Sequence, residues 1–146
     1  MQWPRGDYLG RGCLDPSGAL ENAIHENNVD DVKAEVIVEG ANAPTSPDAH
    51  EALVQRGVLI VPDILANAGG VTVSYFEWAQ NSQQFRWKKD RVNQELTDTM
   101  CESYSAVRGI AKERAIDMRT AAFTLAIRRV AEAGRARMFT EEEFQI

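Results

Sequence analysis

The span from residue 34 to residue 61 constrains the fold of this chain more than any other. Ala34-Glu35-Val36-Ile37-Val38-Glu39 is a β-branched run that reads as a buried strand. Gly40-Ala41-Asn42-Ala43-Pro44 breaks it in a tight loop. Ser46-Pro47-Asp48 is a helix start, with a hydroxyl N-cap, proline in the first turn and an acid against the helix dipole. That helix is expected to reach about Arg56 and stop at Gly57, and Val58-Leu59-Ile60-Val61 follows as a second strand. Two strands joined through a helix over so short a span form a βαβ unit, which implies a parallel sheet with a right-handed crossover. Ligands of open parallel sheets bind beyond the carboxyl ends of the strands. The segments leaving those ends here are residues 40–44 and 62–70, so both loops open on one edge.

The second of these segments reads Pro62-Asp63-Ile64-Leu65-Ala66-Asn67-Ala68-Gly69-Gly70. Adjacent glycines weaken helices and strands alike, and mark a place where backbone comes close to a neighbouring strand or a ligand. The run after them is open to two readings. Val71-Thr72-Val73-Ser74-Tyr75-Phe76 alternates as a strand does, while Val71, Tyr75 and Trp78 share a helical stripe.

Around this centre the chain divides simply. Gly6, Gly10, Gly12 and Gly18 with Pro4 and Pro16 make residues 1–18 a loop or poorly ordered segment. Gly10-Arg11-Gly12 is not a dinucleotide fingerprint, because Asp15 stands where the third glycine belongs and no strand precedes it. Leu20, Ala23 and Ile24 suggest a short helix over residues 19–27, ending at Asn27-Asn28. Val92, Leu96, Met100, Val107 and Ala111 keep one helical face over residues 88–115. Asp117 reads as the N-cap of a last helix reaching about Arg137, and Ala121, Ala122, Leu125, Ala126 and Ile127 cover enough of it to predict deep burial. Residues 19–140 then form one α/β unit, a partial Rossmann-like parallel sheet followed by C-terminal helices, and residues 141–146 an acidic tail.

Composition narrows the partners. A net charge of −6 argues against nucleic acid and against an anionic membrane surface, both of which call for clustered positive charge. It leaves room for small anions, for which one arginine or helix N-terminus suffices. Cys13 and Cys101 match no metal spacing and read as free thiols, and with no apolar h-region at the N-terminus they point to the cytoplasm. His25 and His50 sit in polar helical settings and read as surface residues, and Lys33, Lys88, Lys89 and Lys112 all have polar neighbours. Polar residues of the two loops remain. Asn42 and Asn67 either cap turns or reach a ligand, and Ser74 either bonds a carbonyl one turn back or donates to a ligand carboxylate. For each residue taken singly the structural role is the plainer one.

Two long stretches carry a resemblance. Glu39-Gly40-Ala41-Asn42-Ala43-Pro44-Thr45 and the run from Val61-Pro62-Asp63 through Asn67-Ala68-Gly69-Gly70 to Phe76-Glu77-Trp78 resemble the C-terminal part of glutamate dehydrogenase. Arg119-Thr120-Ala121-Ala122-Phe123 and Arg129-Val130-Ala131-Glu132-Ala133 extend the likeness, which covers about residues 19–137. Leucine, phenylalanine and valine dehydrogenases share the Asn-Ala-Gly-Gly core, and the residues that follow it here resemble the glutamate type. The resemblance implies NAD or NADP as cofactor, and L-glutamate and 2-oxoglutarate as substrate and product. It implies that Gly40, Ala41 and Asn42 line the nicotinamide ribose and that Asn67 lies near the substrate amino group and the nicotinamide. Val71 would pack on the substrate's carbon chain and Ser74 would bond its side-chain carboxylate. It also implies a helix after Gly70, and a homo-oligomer in full-length members.

The chain departs from the family where the family's proton chemistry lies. No glycine-rich turn opens a cofactor fold, no lysine or aspartate has the catalytic setting, and Pro16-Ser17-Gly18-Ala19-Leu20-Glu21 is one residue longer than the usual Pro-Ala-Ala-Leu-Glu. The strand before that point is expected to be replaced by the Gly/Arg-rich residues 1–14. Two functions follow: part of a glutamate dehydrogenase that is inactive alone, or a non-catalytic module for binding or assembly that docks on a full-length relative.

Overall fold

The computed structural model describes Cys13–Leu14 and residues 21–138. Along the chain come β1 (Cys13–Leu14), a 3-10 turn (Val29–Asp31), β2 (Val36–Val38), α1 (Pro47–Gln55), β3 (Leu59–Val61), α2 (Asp63–Ala66), α3 (Ala68–Gln83), α4 (Lys89–Arg114) and α5 (Met118–Met138). The strands are parallel in the order β1-β2-β3, with Val36, Ile37 and Val38 opposite Leu59, Ile60 and Val61. This is the expected α/β class.

The βαβ unit forms for the local reasons its residues suggest. Ser46 Oγ accepts the Ala49 amide at 3.3 Å, Pro47 occupies the first helical position, and Gly57 turns the chain at φ +80°. Ala49 and Leu53 of α1 cover Ile37 and Ile60, together with Ile24, Val29, Val32 and Ala34. Leu65 of α2, Val107 of α4 and Met118, Ala121, Ala122 and Leu125 of α5 make a second core, which Val61 joins from the sheet. The strands are therefore sealed fully on one face and partly on the other: Ile37 and Ile60 are buried, Val36, Val38 and Val61 half-buried, and Leu59 exposed. The run read as a buried strand over residues 34–39 forms a strand at Val36–Val38, with Ala34, Ile37 and Glu39 buried.

Three further expectations change. Within the expected helix over residues 19–27, the described residues 21–27 are not helical. Ile24 bridges to Thr45, donating to Pro44 O at 2.9 Å and accepting from Ser46 N at 2.8 Å. Asn28 folds the turn, accepting the His25 amide and donating to Ala23 O, both at 2.8 Å. Apolar residues at helical spacing are here spent on a pairing segment, since tertiary pairing overrides weak propensity. Cys13–Leu14 pairs with β2 inside a segment read as breaker-rich loop; the rest of residues 1–18, and the tail at 141–146, lie outside the described residues.

The last helix begins as expected but is not deeply buried throughout. Ile127 is 66% exposed and Val130 73%, because α2, α4 and β3 meet only one side of α5. The segment after Gly70, open between strand and helix, is helix α3. Its Phe76 packs on Trp87 of the segment leading into α4, with ring centroids 5.6 Å apart, and Arg91 of α4 sits 4.1 Å over Trp87.

Helix α4 ends at Ala115, which takes φ +52° and ψ +45°, a left-handed cap that L-residues with a Cβ adopt at a cost. Ala115→Gly is expected to stabilise the fold by about 0.5–1 kcal/mol. Urea denaturation would register this as a higher midpoint at unchanged slope, and a lower midpoint would contradict it.

Candidate functional site

The carboxyl ends of β2 and β3 are joined by polar groups rather than by packing. Glu39 ends β2 with its side chain wholly buried, at 0% exposure. A buried carboxylate needs a cation and hydrogen-bond donors around it. Arg119, in the first turn of α5, supplies both: its Nη2 donates to Glu39 Oε1 at 2.7 Å and to Oε2 at 2.5 Å. Arg119 Nη1 also donates to Asp63 Oδ1 at 3.3 Å. The two carboxylates then hold backbone. Glu39 Oε2 accepts the Asp63 amide at 3.0 Å, and Asp63 Oδ2 accepts the Ala43 amide at 2.8 Å.

The loop that Asp63 holds is under strain. Ala43 has φ +44°, a conformation costing roughly 1–2 kcal/mol for a residue with a Cβ. Just before it, Asn42 Oδ1 accepts from Asn67 Nδ2 at 2.6 Å. The two asparagines singled out from the sequence thus meet, one from each loop. Gly40 and Ala41 are half-buried beside them in the chain.

Asn67 is the N-cap of α3 and makes no side-chain bond to that helix's amides, which leaves it to Asn42. Val71 and Ser74 stand four and seven residues further on, one and two turns along the same face. Val71 is 70% exposed and Trp78, on the continuing stripe, is 63% exposed and stacked on Tyr75. Ser74 is exposed, and its Oγ donates to Gly70 O at 3.2 Å, the one-turn-back bond of the plainer reading. A hydroxyl has one proton, so donation to a ligand carboxylate would replace that bond. Of the paired glycines, Gly69 faces Leu96 and Met100 at ordinary contact distance, whereas a Cβ on Gly70 would meet nothing within 4 Å.

His50 corrects its sequence reading. It is not a surface residue: its side chain is 13% exposed and ties Arg119 to Asp117. Arg119 Nε donates to His50 Nδ1 at 3.4 Å, and a guanidinium can only donate. Nδ1 must therefore carry the lone pair and Nε2 the proton, which it gives to Asp117 Oδ1 at 3.2 Å. Asp117 is the expected N-cap, accepting from the Thr120 amide at 3.1 Å and the Thr120 hydroxyl at 2.5 Å. Burial raises the Asp117 carboxyl, but the side-chain and backbone bonds from Thr120 and the bond from His50 outweigh it, and the group titrates below its usual 3.8.

Sequence reasoning missed this five-residue network as a unit. The signal was available: two acids, Glu39 and Asp63, lie at one edge of a parallel sheet with no cation in either loop. The compensating charge had to arrive from elsewhere in the chain. A cavity of about 350 Å³ at the His50 end of the network is lined by His50, Tyr104, Arg108 and Asp117 among others, and includes none of Gly40, Ala41, Asn42, Asn67, Val71 or Ser74.

Comparison with known proteins places this architecture. Residues 12–137 match the family model described as Glutamate/Leucine/Phenylalanine/Valine dehydrogenase. The chain belongs to that family. It is 48% identical over 119 residues to the NAD-specific glutamate dehydrogenase of Staphylococcus aureus, covering 82% of this chain and 29% of the relative. It is 53% identical over 116 residues to the NADP-specific glutamate dehydrogenase A1 of Halobacterium salinarum, covering 79% and 28%. Its fold matches the hetero-hexameric glutamate dehydrogenase of Thermus thermophilus with a TM-score of 0.78 at 33% identity, covering 82% of this chain and 29% of that one. The chain spans less than a third of the length of the curated relatives it matches.

Two outcomes follow from the geometry. Arg119→Met is expected to cost about 3–5 kcal/mol, because it strands the buried Glu39 carboxylate, and adding Glu39→Met should recover most of that loss. Denaturant titration of both single variants and the double variant decides it, and simply additive losses would contradict the pairing. The second outcome concerns pH. With its folded pKa below 3.8, Asp117 contributes stability that is complete above that value and is lost as pH falls through the folded pKa. The deficit of Asp117→Asn near pH 7 should therefore shrink below about pH 3.8, and a constant deficit would refute the assignment.

Proposed function

We propose that this chain forms the cofactor-side half of a glutamate-type dehydrogenase site, for L-glutamate and 2-oxoglutarate with NAD or NADP. The single observation that carries the reading is the Asn42–Asn67 bond at the strand ends, with Val71 and Ser74 continuing from Asn67 on an exposed face. The nicotinamide ring, when bound, supplies the hydride acceptor for oxidative deamination to 2-oxoglutarate and ammonia. Gly40, Ala41 and Asn42 would lie along its ribose, and Asn67 between the ring and the substrate amino group. Val71 would pack on the carbon chain and Ser74 would donate to the side-chain carboxylate. A site that hydrogen-bonds a polar substrate group rejects analogues lacking it, which suits selection of glutamate over apolar amino acids.

The residues fit such an occupant on two counts. The open space over Gly70 leaves room for close approach to the helix, and no neighbour in the described residues explains it. The relatives are glutamate dehydrogenases of both cofactor specificities by name. Lys33, Lys88, Lys89 and Lys112 are all exposed, which supports the reading that the proton chemistry is not done by this chain's lysines. The isolated chain should then bind dinucleotide without turning over glutamate. No helix among the described residues is long and apolar enough to cross a membrane, and we place the protein in the cytoplasm with the rest of this reading.

A non-catalytic module for assembly is the second reading. The exposed stripe of Phe123, Ile127 and Val130 on α5 favours it, since contiguous apolar surface of this kind marks contact with another protein. Docking on a full-length relative, or association of like chains, would cover that face, and one structural neighbour is hetero-hexameric by name.

Gly70→Ala is the discriminating variant. Alanine in a helix is worth up to about 1 kcal/mol over glycine, so the fold should gain stability. If a ligand approaches here, NADH affinity, followed by nicotinamide fluorescence, should fall about tenfold or more at the same time, roughly 1.4 kcal/mol. Unchanged NADH affinity, or no binding by the parent chain, would remove the dehydrogenase-site reading, and glutamate-dependent NADH formation by the chain alone would overturn its predicted inactivity.

A further inference from the structure

We propose that Arg119 is a positioning residue: acting through Glu39 and Asp63, it sets the geometry of the two loops that carry Asn42 and Asn67. The consequence for cofactor binding rests on the proposed site, whereas the positioning itself does not.

The argument begins from where the guanidinium points. Arg119 belongs to α5, yet its forked donors reach the end of β2 at Glu39 and the start of α2 at Asp63. Neither carboxylate stops there. Glu39 Oε2 fixes the Asp63 amide, so the end of one strand sets the entry to the turn after the other. Asp63 Oδ2 fixes the Ala43 amide, and Asp63 Oδ1 also accepts the Ile64 amide at 2.8 Å. Ala43 is left-handed and follows Asn42 directly; Asn67 caps the short helix that Asp63 begins. Each asparagine is thus attached to a backbone group that a carboxylate holds, and Arg119 holds both carboxylates. His50 Nδ1 accepts from the remaining guanidinium donor, Nε, and so fixes the rotation of the fork. Lysine in this position would keep the charge but lose the planar fork that serves two carboxylates at once.

A residue that merely stabilised the fold would move all amides together. Arg119→Lys and Asp63→Asn are therefore compared by hydrogen exchange on ¹⁵N-labelled protein. Asp63→Asn retains a carboxamide oxygen for Ala43 while losing the ion pair, and serves if Arg119→Lys fails to fold. Exchange at the Ala43 and Asp63 amides is expected to accelerate about tenfold or more in Arg119→Lys, and about threefold or more at Ala43 in Asp63→Asn. The Asn67 side-chain amide signal should move towards the position of a free carboxamide in both. The Ile37 and Ile60 amides of the sheet should change much less.

The proposal is overturned if Ala43, Asp63 and Asn67 are unaffected in folded variants, or if site and sheet amides accelerate by one common factor. An NADH titration follows on the same samples, with Arg119→Lys expected to bind about tenfold more weakly than the parent. Absence of NADH binding by the parent would count against the proposed site alone, because the exchange pattern decides the positioning role independently. Unaltered NADH affinity with loosened loop amides would confine Arg119 to loop geometry and sever its tie to the cofactor.

Discussion

A carboxylate with no access to water, Glu39 at the end of β2, is the constraint on which the site edge depends. Left alone it would drive the strand end outward, since the desolvation of a charge outweighs anything a few apolar contacts return. Arg119 makes it tolerable, and in doing so fixes α5 against the sheet. The two apolar cores are separate clusters, one built on α1 and the strands and the other on α2, α4 and α5 with Val61 at its edge. Beside the packing of Val61, Arg119 ties the helical core to the strand ends through charge, so one ion pair has consequences for loop conformation and helix docking together.

How much of this was legible depended on range. Ser46, Pro47 and Gly57 act on their immediate neighbours, and the α1 boundaries they suggest are those observed. Asp117 is likewise a local signal and caps α5 as its position suggests. Ile24 fails for the opposite reason: its helical spacing is real, but its backbone groups are used by Pro44 and Ser46, residues no local pattern could name. Ile127 fails because amphipathic counting says how much of a helix is apolar, not how much a partner covers.

The same distinction separates the two halves of the site. Asn42 and Asn67 could be singled out because each follows a strand and the strands are parallel, so topology alone puts them on one edge. His50 could not, because its neighbours in sequence are polar and its partners, Asp117 and Arg119, lie on the far helix. The helix α3 shows local ambiguity resolved from outside. The alternation from Val71 to Phe76 suits a strand and the stripe of Val71, Tyr75 and Trp78 a helix, and packing of Phe76 on Trp87 of the neighbouring segment favours the helix.

Arg119 lies 80 residues beyond Glu39 in the chain, and this separation has a bearing on how the molecule is made. During synthesis the strands and α1 emerge before α5. At that stage Glu39 faces an apolar sheet with no counter-charge, and the loops beyond it have nothing to hold them. The Glu39–Arg119 pair is a non-local contact, so the strand ends take their final shape only once α5 has docked. The edge at the strand ends is thus completed by the docking of α5, and not by the βαβ unit alone.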